Sequence, residues 1–205
     1  MRRRGAEKSN FSVEMSATEI ALLNVCADAG VGSLWMRGAG PDHPAWPRLL
    51  RSLARQEGLA LRVEELTAPT VAQIIARAKR LQVTEGLDLV VIDYIRYIRG
   101  VGKAENRHNE LAEISRSLKA MARTLSLPVI VLAQLNRQVE ARAEKRPQLS
   151  DFLDCGGIEA DADLAILIWR KGAHAADPGT TGETHGQTPQ RPYWRHPGAL
   201  QLRAR

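Results

Sequence analysis

The chain has 205 residues, 44% of them hydrophobic and only 4% aromatic, enough for one sizeable core built mainly of Leu, Val, Ile and Ala. Its formal charge of +6 and pI near 9.7 suit a polyanionic partner. Cys26 and Cys155 lie too far apart for metal-ligand spacing and no apolar run approaches spanning length, which argues against a disulfide scaffold and a membrane protein and for a reducing, cytoplasmic setting.

Residues 1–10 are polar and basic without periodicity, and the pattern predicts a disordered N-terminus. Phe11-Ser12-Val13-Glu14-Met15 reads as a short strand. Ser16 follows as a helix N-cap, with Glu19 completing a capping box. The helix carries Ile20, Leu22, Leu23 and Val25 and stops near Gly30. A turn-rich connection over 38–47 leads to a short helix over 48–56, and alternation over 59–66 predicts a strand. Thr70 closes a helix-start signal. Val71, Ile74, Ile75, Ala78 and Leu81 then fall on one stripe, with Arg77, Lys79 and Arg80 largely off it.

Leu87 to Tyr94 is an apolar run without a polar face, as expected of a strand covered on both sides in a parallel sheet. It ends on Asp93. A glycine-containing loop over 98–107 precedes a helix over 109–125, which Pro128 stops. Val129 to Ala133 is a second buried strand that ends on Gln134 and Asn136. A charged loop over 137–147, the pair Ser150-Asp151 and the glycines Gly156 and Gly157 lead to a third apolar run, Leu164 to Trp169. Residues 171–197 read as a loop or disordered insertion, with His174, His185 and His196 at no metal-binding spacing. Residues 198–205 hold a possible edge strand and tail. Strands alternating with helices predict one α/β domain with a mostly parallel sheet.

Functional groups in open α/β sheets sit beyond the carboxyl ends of strands. Glu14, Asp93 and Gln134 all occupy such ends. Phosphoryl transfer to water asks for a carboxylate that holds a metal, a group that activates water and a polar sensor of the γ-phosphate. Taken singly, each reads more readily as a structural residue, Asp93 capping the next turn for instance, and their value is joint.

Several segments, in order, resemble DnaB-type replicative helicases. Phe11-Ser12-Val13-Glu14-Met15-Ser16 is similar to that family's FSLEMS. Val90-Val91-Ile92-Asp93-Tyr94-Ile95 resembles its Walker B strand. Glu105-Asn106-Arg107 with Glu113 to Ala120 resembles ENR…EISRSLKALA, and Pro128 to Arg137 resembles PVIALSQLNR. Lys145-Arg146-Pro147, Ser150-Asp151 and Gly157 to Asp163 are similar to KRP..SD…SIEQDAD. The resemblance implies a RecA-like P-loop NTPase core over 11–170 that uses ATP and Mg²⁺ and forms a hexameric ring around single-stranded DNA. It implies Glu14 as the water-activating glutamate, Asp93 as the Mg²⁺ ligand and Gln134 as the γ-phosphate sensor. It also implies that the segment from Asp151 to Glu159, with Asp154, Gly156 and Gly157, lines the central channel and grips phosphates. Apart from the resemblance, the basic balance and the loop over 137–146, with Arg137, Arg142, Lys145 and Arg146, lead us to expect weak, salt-sensitive binding to single strands.

The departures are as informative. The family's GxxxxGK[ST] loop should lie one strand and one helix before Phe11, and no such run occurs in these residues. The expectation is therefore a core missing the first strand and the P-loop helix, with little or no ATP hydrolysis by the chain alone. The alternative is a non-enzymatic remnant that keeps DNA or subunit contacts. Arg96 stands where the family has Gln, and Leu153 where it has a channel arginine. The nearest candidate for the family's AKxR arginine finger is Arg195, in Tyr193-Trp194-Arg195, with Tyr193 in place of the Lys.

Overall fold

Four strands set the frame. β1 (Lys8–Ser12), β2 (Leu61–Glu65), β3 (Leu89–Asp93) and β4 (Val129–Val131) run parallel in the order β2–β1–β3–β4. The computed structural model describes residues 8–12, 14–33, 42–100, 106–136, 138–142, 146–152, 156–170, 182–188 and 191–194. Between the strands come α1 (Ala17–Ala29), α2 (Trp46–Gln56), α3 (Val71–Thr84) and α4 (Arg107–Leu125). Parallel neighbours require such crossovers, so the alternation read from the sequence becomes the topology.

Local chemistry fixes the helix ends. Ser16 Oγ accepts the Glu19 N–H at 3.2 Å while Glu19 Oε2 accepts the Ser16 N–H at 3.0 Å, the reciprocal pair expected of the capping box. Gly30 closes α1 at φ +62, a left-handed conformation in which a side chain is strained. Thr70 and Gln73 form the same kind of box on α3.

The main core lies where α3 and α4 cover the sheet. Ile74, Ala78, Val90, Ile92 and Ile98 are all at 0% exposure, joined by Ile114 and Met121 at 1%. A smaller cluster of Cys26, Val31, Ala45 and Leu49 forms between α1 and α2. β3 departs from the expectation of burial on both faces. Val90 and Ile92 are buried, whereas Leu89, Val91 and Asp93 on the opposite face are half-buried. On that side Ile130 is 51% and Leu132 40% exposed. Among the described residues the helical cover over this half of the sheet is one-sided, so an apolar run alone did not tell one covered face from two.

Three further boundaries need correction. Lys8 to Asn10, read as disordered, are paired in β1 with β2 on one side and β3 on the other. Two ladders hold a central strand whatever its side-chain pattern. The strand expected through Met15 ends at Ser12, and Glu14 and Met15 form a bend into the α1 cap. Within 171–197, β6 (Gly182–Thr188) and β7 (Arg191–Trp194) join β5 (Ala165–Arg170) in a second, antiparallel sheet. β6 reads Gly-Glu-Thr-His-Gly-Gln-Thr. A backbone ladder against β5 needs no apolar alternation, which is why composition concealed it. The possible strand over 198–205 lies outside the described residues.

Candidate active site

The register brings three strand ends together. Ser12 of β1 pairs with Asp93 of β3, and Ile92 of β3 pairs with Val131 of β4. Beyond β4 the contact continues: the Leu132 N–H donates to the Ile92 carbonyl at 2.9 Å, and the Ile95 N–H donates to the Leu132 carbonyl at 3.0 Å. Glu14, Asp93 and Gln134 therefore leave the same carboxyl edge of one parallel sheet, where such folds bind ligands.

Asp93 is the half-buried member, and Glu14 and Gln134 are exposed. Burial raises the Asp93 carboxyl above its usual range, because desolvation penalises the charged form. Among the described residues no ion pair relieves that penalty, and no cluster of three or more His, Cys, Asp or Glu forms a cage for a metal. One carboxylate without a cation suits Mg²⁺, which keeps its waters and completes its shell with substrate phosphates.

The turn that carries Glu14 is anchored through the first residue of α1. The Ala17 N–H, one of the free donors at the start of that helix, donates to Glu65 Oε1 at 2.7 Å. Glu65 ends β2 and pairs in register with Ser12. Thus β2 fixes the turn, and with it Glu14, beside β3. The two strand ends are within electrostatic reach. The Tyr94 phenol is raised first by its hydrogen bond with Tyr97, then by burial and by the negative charge of Glu14, while Arg96 acts in the opposite sense. The Tyr94 and Tyr97 rings meet edge to face at 4.7 Å.

Gln134 opens a segment that is tied down further along. Leu135 bridges Phe152, and the Asn136 N–H donates to the Asp151 carbonyl at 2.7 Å. Arg142, expected to be a DNA-gripping side chain, is engaged here: it pairs with the Asp151 carboxylate and donates to the Arg146 carbonyl at 3.3 Å. Its guanidinium closes the loop. Arg146 is half-buried, and Gly156 and Gly157 open α6 (Gly156–Asp161). Arg137, Lys145, Asp154 and Arg195 lie outside the described residues.

Sequence reasoning missed one set of contacts here. The Arg107 guanidinium donates to the carbonyls of Arg96 and Ile98 and pairs with Glu110 Oε2 at 2.6 Å, while Glu110 Oε1 accepts the Gly100 N–H at 2.7 Å. An opposite-charge pair one helical turn apart reads in a sequence as a solvated surface pair. Only the fold shows that it clasps the chain emerging from Asp93.

The chain is similar to known proteins in sequence and in fold. The DnaB-like helicase C terminal domain family matches residues 2–188. The replicative DNA helicase DnaB of Geobacillus stearothermophilus is 38% identical over 161 residues, covering 78% of this chain and 36% of that protein. The replicative DNA helicase DnaB of Leifsonia xyli is 38% identical over 173 residues, covering 84% and 38%. The chain thus spans about a third of the length of these curated relatives. Among solved structures, the ATPase domain of G40P superposes with a TM-score of 0.82 at 25% identity, over 92% of this chain and 69% of that one. A DnaB-like replicative helicase studied with primase gives a TM-score of 0.79 at 24% identity, over 89% and 49%, a likeness of fold. The fold is RecA-like.

Proposed function

We propose, on the premise that this chain belongs to the DnaB-like helicase C-terminal domain family, that it is the metal-binding and DNA-facing part of an ATP-driven replicative helicase motor. The observation that supports the reading most is the register that sets Glu14, Asp93 and Gln134 on one sheet edge. Asp93 would hold Mg²⁺, which neutralises charge on the phosphates. Glu14 is suited to take a proton from the attacking water. Gln134, at the head of the segment tied to Asp151, is suited to pass the state of the γ-phosphate to the loops beyond. Arg195 would act on a neighbouring subunit's nucleotide.

Polyanion contacts would come from Arg137, Lys145 and Arg146 and from the backbone around Asp154, Gly156 and Gly157, with Arg142 shaping the loop. These groups grip phosphates without reading bases, as a single-strand translocator requires. The assembly proposed is a hexameric ring around single-stranded DNA in the cytoplasm. No described helix is long and apolar enough to cross a membrane.

The 205 residues contain no GxxxxGK[ST] run, so they do not by themselves supply a phosphate cradle of that kind. Each charge-assisted phosphate contact is worth about 1.5–3 kcal/mol. The chain alone should accordingly release little phosphate from ATP, with or without single-stranded DNA. Fusion to the P-loop strand and helix of a DnaB relative should restore DNA-stimulated hydrolysis, and Asp93→Asn or Glu14→Gln should abolish it. A fusion that hydrolyses ATP equally well with Asn at position 93 would refute the assignment.

A further inference from the structure

The segment from Ile95 to Gly100 is pinned far more heavily than a connection needs to be. The Ile95 N–H is held by the Leu132 carbonyl, and the Arg99 N–H by the Pro69 carbonyl at 2.9 Å. Arg99 Nε donates to the Ala68 carbonyl at 2.8 Å. The far side is clasped by Arg107 and Glu110 through the carbonyls of Arg96 and Ile98 and the Gly100 N–H. Ile95 and Ile98 are sunk in the core. A Cβ at Gly100 would lie 2.6 Å from Glu110 Cγ, so the clasp also dictates a glycine there.

One residue stands out of this pedestal. Arg96 is exposed, and its side chain has no carboxylate partner among the described residues, whereas Arg99 and Arg107 are committed. It comes after Asp93 within one tight turn, and its charge reaches the same Tyr94 phenol that Glu14 reaches. The pedestal therefore fixes the backbone from which the Arg96 side chain, without a carboxylate partner among the described residues, leaves the turn that follows Asp93.

We infer that Arg96 is a phosphate-oxyanion contact of this site, and that Arg107 and Glu110 are positioning residues that hold its backbone for that purpose. The inference rests on the helicase reading and deepens it. A guanidinium offers a planar fork of donors matched to phosphate. Both a nucleotide's phosphoanhydride and a single strand's phosphodiester present that chemistry.

The test uses the 205-residue chain in two arms, inorganic tripolyphosphate with Mg²⁺ and an oligo(dT) strand titrated across salt, with folding checked by circular dichroism. Arg96→Gln is expected to weaken one arm about 3- to 10-fold. If the DNA arm responds, its log K against log salt should become less steep by about 0.7, one phosphate's share. Arg96→Lys should restore that slope. Arg107→Lys and the milder Glu110→Gln should weaken the same arm, and should add nothing once Arg96 is Gln.

Whichever arm responds identifies the source of the phosphate. Unchanged binding in both arms for Arg96→Gln, with the wild type binding, overturns the inference alone. An Arg107→Lys effect that persists in the Arg96→Gln background overturns the positioning role. A wild type that binds neither probe overturns the inference together with the reading beneath it.

Discussion

Ser12 lies in register between two carboxylates, Glu65 of β2 on one side and Asp93 of β3 on the other. Glu65 accepts the Ala17 N–H, while Asp93 has no charged partner among the described residues. Two acids at the same level of one sheet thus differ in their engagement, one anchoring a helix start and the other without an ion-pair partner among the described residues.

That difference should be measurable as stability. Burial raises the Asp93 carboxyl, so the folded chain holds that proton more tightly than the unfolded chain does. Its contribution to stability then falls as pH rises from the ordinary carboxylate value of about 4 through the raised one. Asp93→Asn removes the loss. Its thermal midpoint should exceed the wild type's at pH 7 by on the order of 2 °C, and the two should converge near pH 4. A variant that melts lower at pH 7 would contradict an unrelieved burial cost.

Glu110 should behave in the opposite sense. The Gly100 N–H, followed by Arg107, holds its carboxyl below the usual range. Stability from this group is present above about pH 4 and is lost as pH falls through the depressed value. Glu110→Gln should cost about 1 kcal/mol at pH 7 in urea unfolding, and the difference should vanish in acid. Gly100→Ala should destabilise the wild type but cost less in a Glu110→Ala background, because the clash is with Glu110 Cγ. Additive losses would show that the two residues do not meet.

One-sided burial of β3 and β4 makes a paired forecast. Ile92 is at 0% exposure, so Ile92→Ala should cost about 2–5 kcal/mol. Ile130 is 51% exposed, so Ile130→Ala should stay within about 0.5 kcal/mol. Equal losses in chemical denaturation would mean that both faces are covered.

Single-stranded DNA binding by the chain should be weak and strongly salt-dependent, because the contacts proposed are to phosphates. Raising salt from about 50 to 200 mM should lower the affinity several-fold, whatever the base sequence. An affinity that does not change across this range would count against phosphate contacts.

Much of the fold was legible because its signals are local. Ser16 with Glu19, the stripe from Val71 to Leu81 and the arrest of α4 before Pro128 each depend on residues within a turn or two. β6 and the start of β1 were not legible, since a ladder between distant segments leaves no mark on either sequence. The site divides the same way. Asp93, Glu14 and Gln134 were readable as polar residues ending strands, and their shared edge follows from the register. Glu65 and the Arg107–Glu110 clasp were not, because a surface acid and a helical ion pair look alike whether or not they grip a backbone far along the chain. Arg142 is the converse case. Its place in a basic loop suggested DNA, and its partner Asp151 emerges only when the loop closes.

β1 sits inside the sheet although its partners β2 and β3 are made much later in the chain. A ribosome therefore delivers this strand well before β2 and β3, the two strands that flank it among the described residues. Closing such long loops comes before the contacts that repay it, which slows folding in topologies of this kind. Docking β1 also brings Ser12, and the turn that carries Glu14, to the level of Asp93, so assembly of the candidate site and consolidation of the sheet become one kinetic event. An arrested nascent chain ending before Val91 should accordingly remain protease-sensitive along its whole length, α1 included.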